Sequence, residues 1–221
     1  MFAFSENRPE LPQSLAAHIR PVTSASARVL PLGEPWATLI PVRSLRRGST
    51  ISIHAAPGDG GLTVAFGVTS ELTQRGHWLA VVGVEEPGVV AMSELGIDLR
   101  RVLFVSRPRG EWAASVADLF SGVDAVIVKV PVRAAHADAR RLSARARENG
   151  TTLIVLTDAR NAWPVPSDLT IEVVHARWLP DSRLRERVAT VRLSGRGGAR
   201  REREYTLALP DRAGAIREWS R

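Results

Sequence analysis

The sequence predicts an α/β fold, a mostly parallel sheet with helices on both faces and a C-terminal antiparallel hairpin. Three observations carry this. After a first core strand at 50–55, apolar runs of strand length recur at 78–84, 102–106, 125–130 and 152–156, and these runs are continuous rather than alternating, as in strands buried on both faces. Helical patterns separate them at 62–75, 88–95, 111–121 and 132–149, the spacing of a sheet covered on both sides. After residue 168 the pattern turns to alternation, with Ala189, Val191 and Leu193 answered by Tyr205, Leu207 and Leu209 across a Gly-rich turn at 195–198.

Taken in order, residues 1–27 form an arm with turn signals at Pro9, Pro12 and Pro21 around one short helical stretch, 13–20. Residues 28–209 form the core domain. Its first part is apolar but broken by Pro31, Gly33, Pro35 and Pro41, and the polar turn 44–49 delivers the chain into the first core strand. The pattern from Leu62 places apolar residues at 65, 66, 68 and 72, with Thr69 on the same face, and stops at Gly76. In 132–149, Ala135, Ala139, Leu142 and Ala146 take one face and Arg133, Arg140, Arg141, Arg145 and Arg147 the other. The stretch 161–167 is a Pro-rich loop in which Trp163 is the one residue suited to stacking on a base. A short strand follows at 169–174, then the hairpin, whose tip carries Arg196, Arg200, Arg201 and Arg203, and 210–221 is a polar tail.

With 221 residues, 44% of them hydrophobic, the chain suffices for one domain with a substantial core. It has no Cys, which excludes disulfides and thiolate chemistry and fits a reducing compartment. Five scattered His offer no pair at metal-ligand spacing. No run reaches the ~18 apolar residues of a membrane span, and no basic segment with an apolar core opens the chain. The expectation is a cytoplasmic protein. The net charge is +7, and every basic residue except Lys129 is Arg; such a balance suits phosphates and acidic partner surfaces.

The stretch with the most chemical content is 51–66, a strand, a Gly-rich loop and a helix start, the setting of a phosphate-binding loop. Against G-x-x-x-x-G-K-[ST], residues Ala56, Pro57, Gly58, Asp59, Gly60, Gly61, Leu62 and Thr63 keep the last Gly and the Thr. Ala56 replaces the first Gly, and Leu62 replaces the Lys. Asp59 adds negative charge where a polyanion would dock. The loop has the shape of a nucleotide site without its cation.

The order of elements and several local stretches resemble the RecA ATPase core over 29–209. Arg46-Arg47-Gly48 looks like the turn entering that core, and Gly61 with Thr63 like the end of its phosphate loop. Glu94-Leu95-Gly96-Ile97-Asp98 followed by Val102-Leu103 looks like the family's K-L-G-V-D stretch and next strand. Val123 to Val128 looks like the strand that ends in the Mg²⁺-orienting Asp, a position held here by Lys129. Glu85 and Glu86 fall near the family's water-activating Glu. Within this superfamily the chain resembles the ImuA′ accessory proteins of the actinobacterial mutasome, which keep the fold and depart from the ATPase motifs.

The resemblance implies a non-catalytic pseudo-ATPase without cofactor. Its role would be support of translesion synthesis through an ImuB-like protein and an error-prone polymerase, with a contact to RecA and recruitment to the nucleoid at damaged DNA. Two other readings stay open: a sequence-independent DNA-binding subunit or RecA modulator, and an unorthodox ATP-binding protein. The second requires a Lys or Arg from elsewhere to enter the loop, because phosphoryl transfer needs a cation on the phosphates and an acid on Mg²⁺. For Lys129 there are two expectations. Its ammonium stands in the metal's place and pairs with Asp59, Glu85 or Glu86, while Leu62 packs on the sheet; or it reaches solvent unpaired.

Overall fold

The computed structural model describes residues 29–40, 45–108, 112–130, 133–158, 162–180, 185–196 and 201–220; the N-terminal arm and Arg200 lie outside this set. Among the described residues eleven strands are formed: β1 Val29–Leu30, β2 Leu45–Arg46, β3 Thr50–Ala55, β4 Leu79–Val82, β5 Val102–Val105, β6 Ala125–Lys129, β7 Thr152–Thr157, β8 Leu169–Trp178, β9 Arg187–Gly195, β10 Arg203–Ala208 and β11 Arg217–Glu218. The helices are α1 Trp36–Leu39, α2 Gly61–Gln74, α3 Val89–Glu94, α4 Trp112–Leu119 and α5 His136–Asn149.

Strands β1 and β2 make a small antiparallel ribbon, and the other nine form one sheet in the order β11-β10-β9-β8-β3-β7-β6-β4-β5. From β8 to β5 every pairing is parallel. From β8 to β11 every pairing is antiparallel. This is the fold class read from the sequence. The continuous runs are the reason: β4 and β7 are buried along their whole length, so they require cover on both faces.

One face of the sheet packs under α1, α2 and α3, with Trp36, Phe66, Leu72 and Met92 in its core. The other packs under α4 and α5 through Val116, Phe120, Leu142 and Ala146. This second layer covers β4, β6 and β7, and the same side of β8 to β10 carries Thr170, Glu172, Thr190, Arg192, Glu204 and Thr206. The uncovered stretch explains why the pattern alternates after residue 168: only one side of those strands meets a core.

Three elements differ from the sequence reading. Helix α5 starts at His136 rather than Val132, so Arg133 precedes it, and Ala135 is an exposed N-cap. Trp163 is buried beneath the second layer and has no face free for a base; a large apolar ring gains more from burial than from solvent. The polar segment after Leu209 returns to the sheet, where β11 pairs with β10 and Ile216 is buried beside Trp36 and Gly67.

Candidate functional site: a phosphate-type loop filled by an arginine

Strand β3 ends at Ala55, and the chain passes through 56–60 into α2. Gly60 is the N-cap of α2 and adopts a left-handed conformation, φ 96°, which a side chain at this position would oppose. Gly61 sits so close to the sheet that a Cβ would lie 2.8 Å from Ala55 and Leu156. Leu62 packs against the apolar core, as the sequence reading expected. The loop therefore keeps the strand–loop–helix geometry that suits phosphates, at the carboxyl end of a parallel strand.

Its interior is taken by a side chain from the antiparallel hairpin. Arg187, the first residue of β9, is 6% exposed. Its Nη1 donates to the Gly58 carbonyl at 2.7 Å and its Nη2 to the Thr63 hydroxyl at 3.2 Å. Its Nε donates to the Leu209 carbonyl at 2.6 Å. The guanidinium also lies over the Trp178 ring, 4.9 Å from the centroid. A Cβ at Gly60 would overlap the guanidinium, so this glycine is needed for close approach as well as for its φ. Burial lowers the Arg187 pKa below its ordinary value, and the Asp59 carboxylate opposes that shift. Asp59, a liability beside a polyanion, is here a counter-charge.

Lys129 does not close the site. It is exposed at the end of β6 and makes no ion pair with a described carboxylate. Glu85 is engaged by Arg107 through two hydrogen bonds of 3.0 and 3.1 Å, Glu86 is exposed, and Asp59 faces Arg187. A solvated ammonium at a strand end costs less than one drawn into a buried pair. Of the two expectations for Lys129, the second is met.

Lys129, Leu62 and Leu156 border both the recess inside the loop, about 230 Å³, and a larger cleft of about 780 Å³. The cleft lies over the carboxyl ends of β4 to β7 and is walled by Val84, Pro108 and Trp112, with Glu85, Glu86, Ser106 and Arg107 at its polar edge. Lys129 thus presents a cation to the cleft at the end of β6, and Leu62 presents an apolar side chain at the start of α2. Among the described residues no group of three His, Asp or Glu is placed to hold a metal ion.

The Arg residues singled out in the sequence fall in two places. Arg140, Arg141, Arg145 and Arg147 are exposed on α5, opposite buried Ala139, Leu142 and Ala146, and Arg141 pairs with Asp138. Arg196, Arg201 and Arg203 are exposed at the hairpin tip. Arg187 was not among them, although a signal existed: it is in phase with Ala189, Val191 and Leu193, the inward face of β9. Arg47, read as part of an entry turn, reaches Asp124 ahead of β6.

No helix among the described residues is long and apolar enough to cross a membrane. The chain is similar to the Uncharacterized protein Rv3395c of Mycobacterium tuberculosis (strain ATCC 25618 / H37Rv), 32% identical over 97 residues, which are 43% of this chain and 48% of that protein. The match spans about half of that relative's length. The family model for the MT3502 N-terminal domain matches residues 38–165, which hold the phosphate-type loop, β3 to β7 and α2 to α5, and the chain belongs to that family.

Proposed function

We propose that this protein is a non-catalytic module of RecA-like build that supports damage-induced mutagenesis by binding proteins. Its partners on this reading are an ImuB-type protein and an error-prone polymerase, and it acts in the cytoplasm at damaged DNA. The observation that carries the reading is Arg187 inside the phosphate-type loop. Three of its donor groups are spent on Gly58, Thr63 and Leu209, so the loop is satisfied by the chain itself. Leu62 and Lys129 point the same way, since each stands where catalysis needs the opposite chemistry. The partner assignment rests on the resemblance of 29–209 to the RecA core with degenerate motifs.

The expected result is no ATP turnover above a Thr63→Ala control, with or without single-stranded DNA, and no heat of binding on titration with ATP and Mg²⁺. A pull-down from DNA-damaged cells is expected to recover translesion polymerase components. Turnover above the control would end the non-catalytic reading, and a pull-down empty of those components would end the partner assignment.

One observation favours a second reading, an unorthodox ATP-binding protein: a cation from elsewhere does enter the loop. In that case the wild type binds ATP and Arg187→Met does not. If Arg187 is a plug, neither protein binds.

A further inference from the structure

The fold gathers at one end of the sheet arginines that are far apart in sequence. The turn 46–49 packs on the last turn of α5, where a Cβ on Gly48 (φ +81°) would lie 2.9 Å from the Arg147 Cα. Arg140 shares the stripe of Arg147 but lies two helical turns away, toward the carboxyl ends of the strands. Asp168 ties the hairpin to this place. Its carboxylate accepts the Thr50 N–H at 2.9 Å, and its carbonyl accepts the Arg196 N–H at 3.0 Å. Arg201 follows across the hairpin, whereas Arg203, opposite Leu193, lies on the other side of the sheet from α5. From β3 to β10 is three strand spacings, about 14 Å.

Arg46, Arg140, Arg147, Arg196, Arg201 and Arg203 are all exposed, and none is in an ion pair with a described carboxylate. The acids that could neutralise them are directed elsewhere. Glu202 and Glu204 both close on Arg192, at 2.8 and 2.6 Å, where Glu172 joins them at 3.2 Å. Asp168 is held by the Thr50 amide, which leaves Glu148, exposed on α5, as the nearby acid without a bond to another described residue.

We infer that this amino-terminal end of the sheet, Arg46, Arg147 and Arg196 with Arg201 beside them, is a docking surface for the sugar-phosphate backbone of nucleic acid. The chemistry favours this occupant over an acidic protein. Protein interfaces have an apolar centre within a polar rim, and the exposed large apolar residues, among them Val89, Val90, Leu103, Phe104 and Trp178, belong to other parts of the surface. An arginine-rich face without such a centre matches phosphates, which accept the guanidinium fork in two bonds. The width of the face corresponds to about four 3.4 Å steps along one DNA strand. The surface lies at the opposite end of the strands from the loop and the cleft, and it stands or falls independently of the reading of the loop.

The test is fluorescence anisotropy of labelled single- and double-stranded oligonucleotides of unrelated sequence, in salt from about 50 to about 200 mM. Binding is expected to be sequence-independent, and on duplex the log–log salt slope is expected at about −3.6, from about four neutralised phosphates. The triple variant Arg46→Gln, Arg147→Gln, Arg196→Gln should bind at least tenfold more weakly in low salt, with a slope shallower by about 2.7. Arg133→Gln and Arg141→Gln should leave both unchanged. If the triple variant folds poorly, single Arg46→Gln and Arg147→Gln should each flatten the slope by about 0.9. No binding by the wild type in low salt, or an unchanged slope in the variants, would overturn the inference. So would equal affinity for polyglutamate, which would assign the face to an acidic protein.

Discussion

Arg187→Ala is expected to lower unfolding stability by about 3 kcal/mol, in the range for removing one member of a buried charged network. The truncation leaves a void between the loop and the hairpin. It also strips the Gly58 and Leu209 carbonyls of charged donors, each bond of that type being worth about 1.5–3 kcal/mol, and removes the stack on Trp178. Against these losses stands relief from holding a desolvated cation, so the effects do not simply add. Arg187→Met separates the parts. It keeps most of the stem volume and removes the buried charge, and it should cost about 1 kcal/mol, because water reaches the exposed Gly58. Urea denaturation followed by tryptophan fluorescence reads both variants, and Trp178 reports the site directly. Amide hydrogen exchange over 58–63 should rise in Arg187→Ala before the rest of the sheet is affected. A loss below about 0.5 kcal/mol for Arg187→Ala, the level of an ordinary surface site, would mean that the guanidinium does not hold the loop.

The second large effect is expected at Asp124, which fastens the other end of the sheet. Its carboxylate accepts from Arg47, lies 3.3 Å from His77 Nδ1, and accepts the Trp78 N–H at 2.8 Å. Burial pushes its pKa up, but the hydrogen bond to His77, the Trp78 N–H and the nearby charges of Arg47 and His77 outweigh it. The folded carboxyl is held below the ordinary 3.8. Because the folded value is depressed, Asp124 contributes its full stabilisation above the unfolded value, near 3.8, and loses it as pH falls through the lower folded value. At neutral pH, Asp124→Asn should cost about 2 kcal/mol, as for a half-buried charged hydrogen-bond acceptor. The gap between wild type and variant should stay constant at neutral pH and narrow toward zero below about pH 3.8. Urea midpoints across that range measure it, and a gap that persists in acid would assign the loss to packing rather than charge. Glu85 and Asp98 are also held low by Arg107 and Arg100, but those exposed pairs remain in both proteins and cancel in the difference.

Much of the fold was decided by local pattern. Uninterrupted apolar runs such as Leu79–Val82 cannot sit at a wet surface, so a covered parallel sheet follows from them alone. The change to alternation after Asp168 announces strands with one dry side, and the hairpin with it. The strand–loop–helix setting of 51–66 was equally plain, because its apolar run, its glycines and the helical pattern after them are adjacent in sequence. The rest depended on distance that sequence does not carry. Arg187 reaches Thr63 across 124 residues, and only the pairing of β8 with β9 and the return of the chain at Leu209 place it in the loop. Its alternation with Ala189, Val191 and Leu193 showed that it would point inward, but what an inward cation meets is a matter of tertiary packing. Trp163 looked available to a base until the second layer closed over it, and 217–218 looked like tail until β10 offered an edge. Arg46, Arg147 and Arg196 are ordinary surface cations in sequence. They share one face because the entry turn, the end of α5 and the hairpin all stop at the same end of the sheet, a convergence set by strand pairing and by the packing of α5 on the sheet.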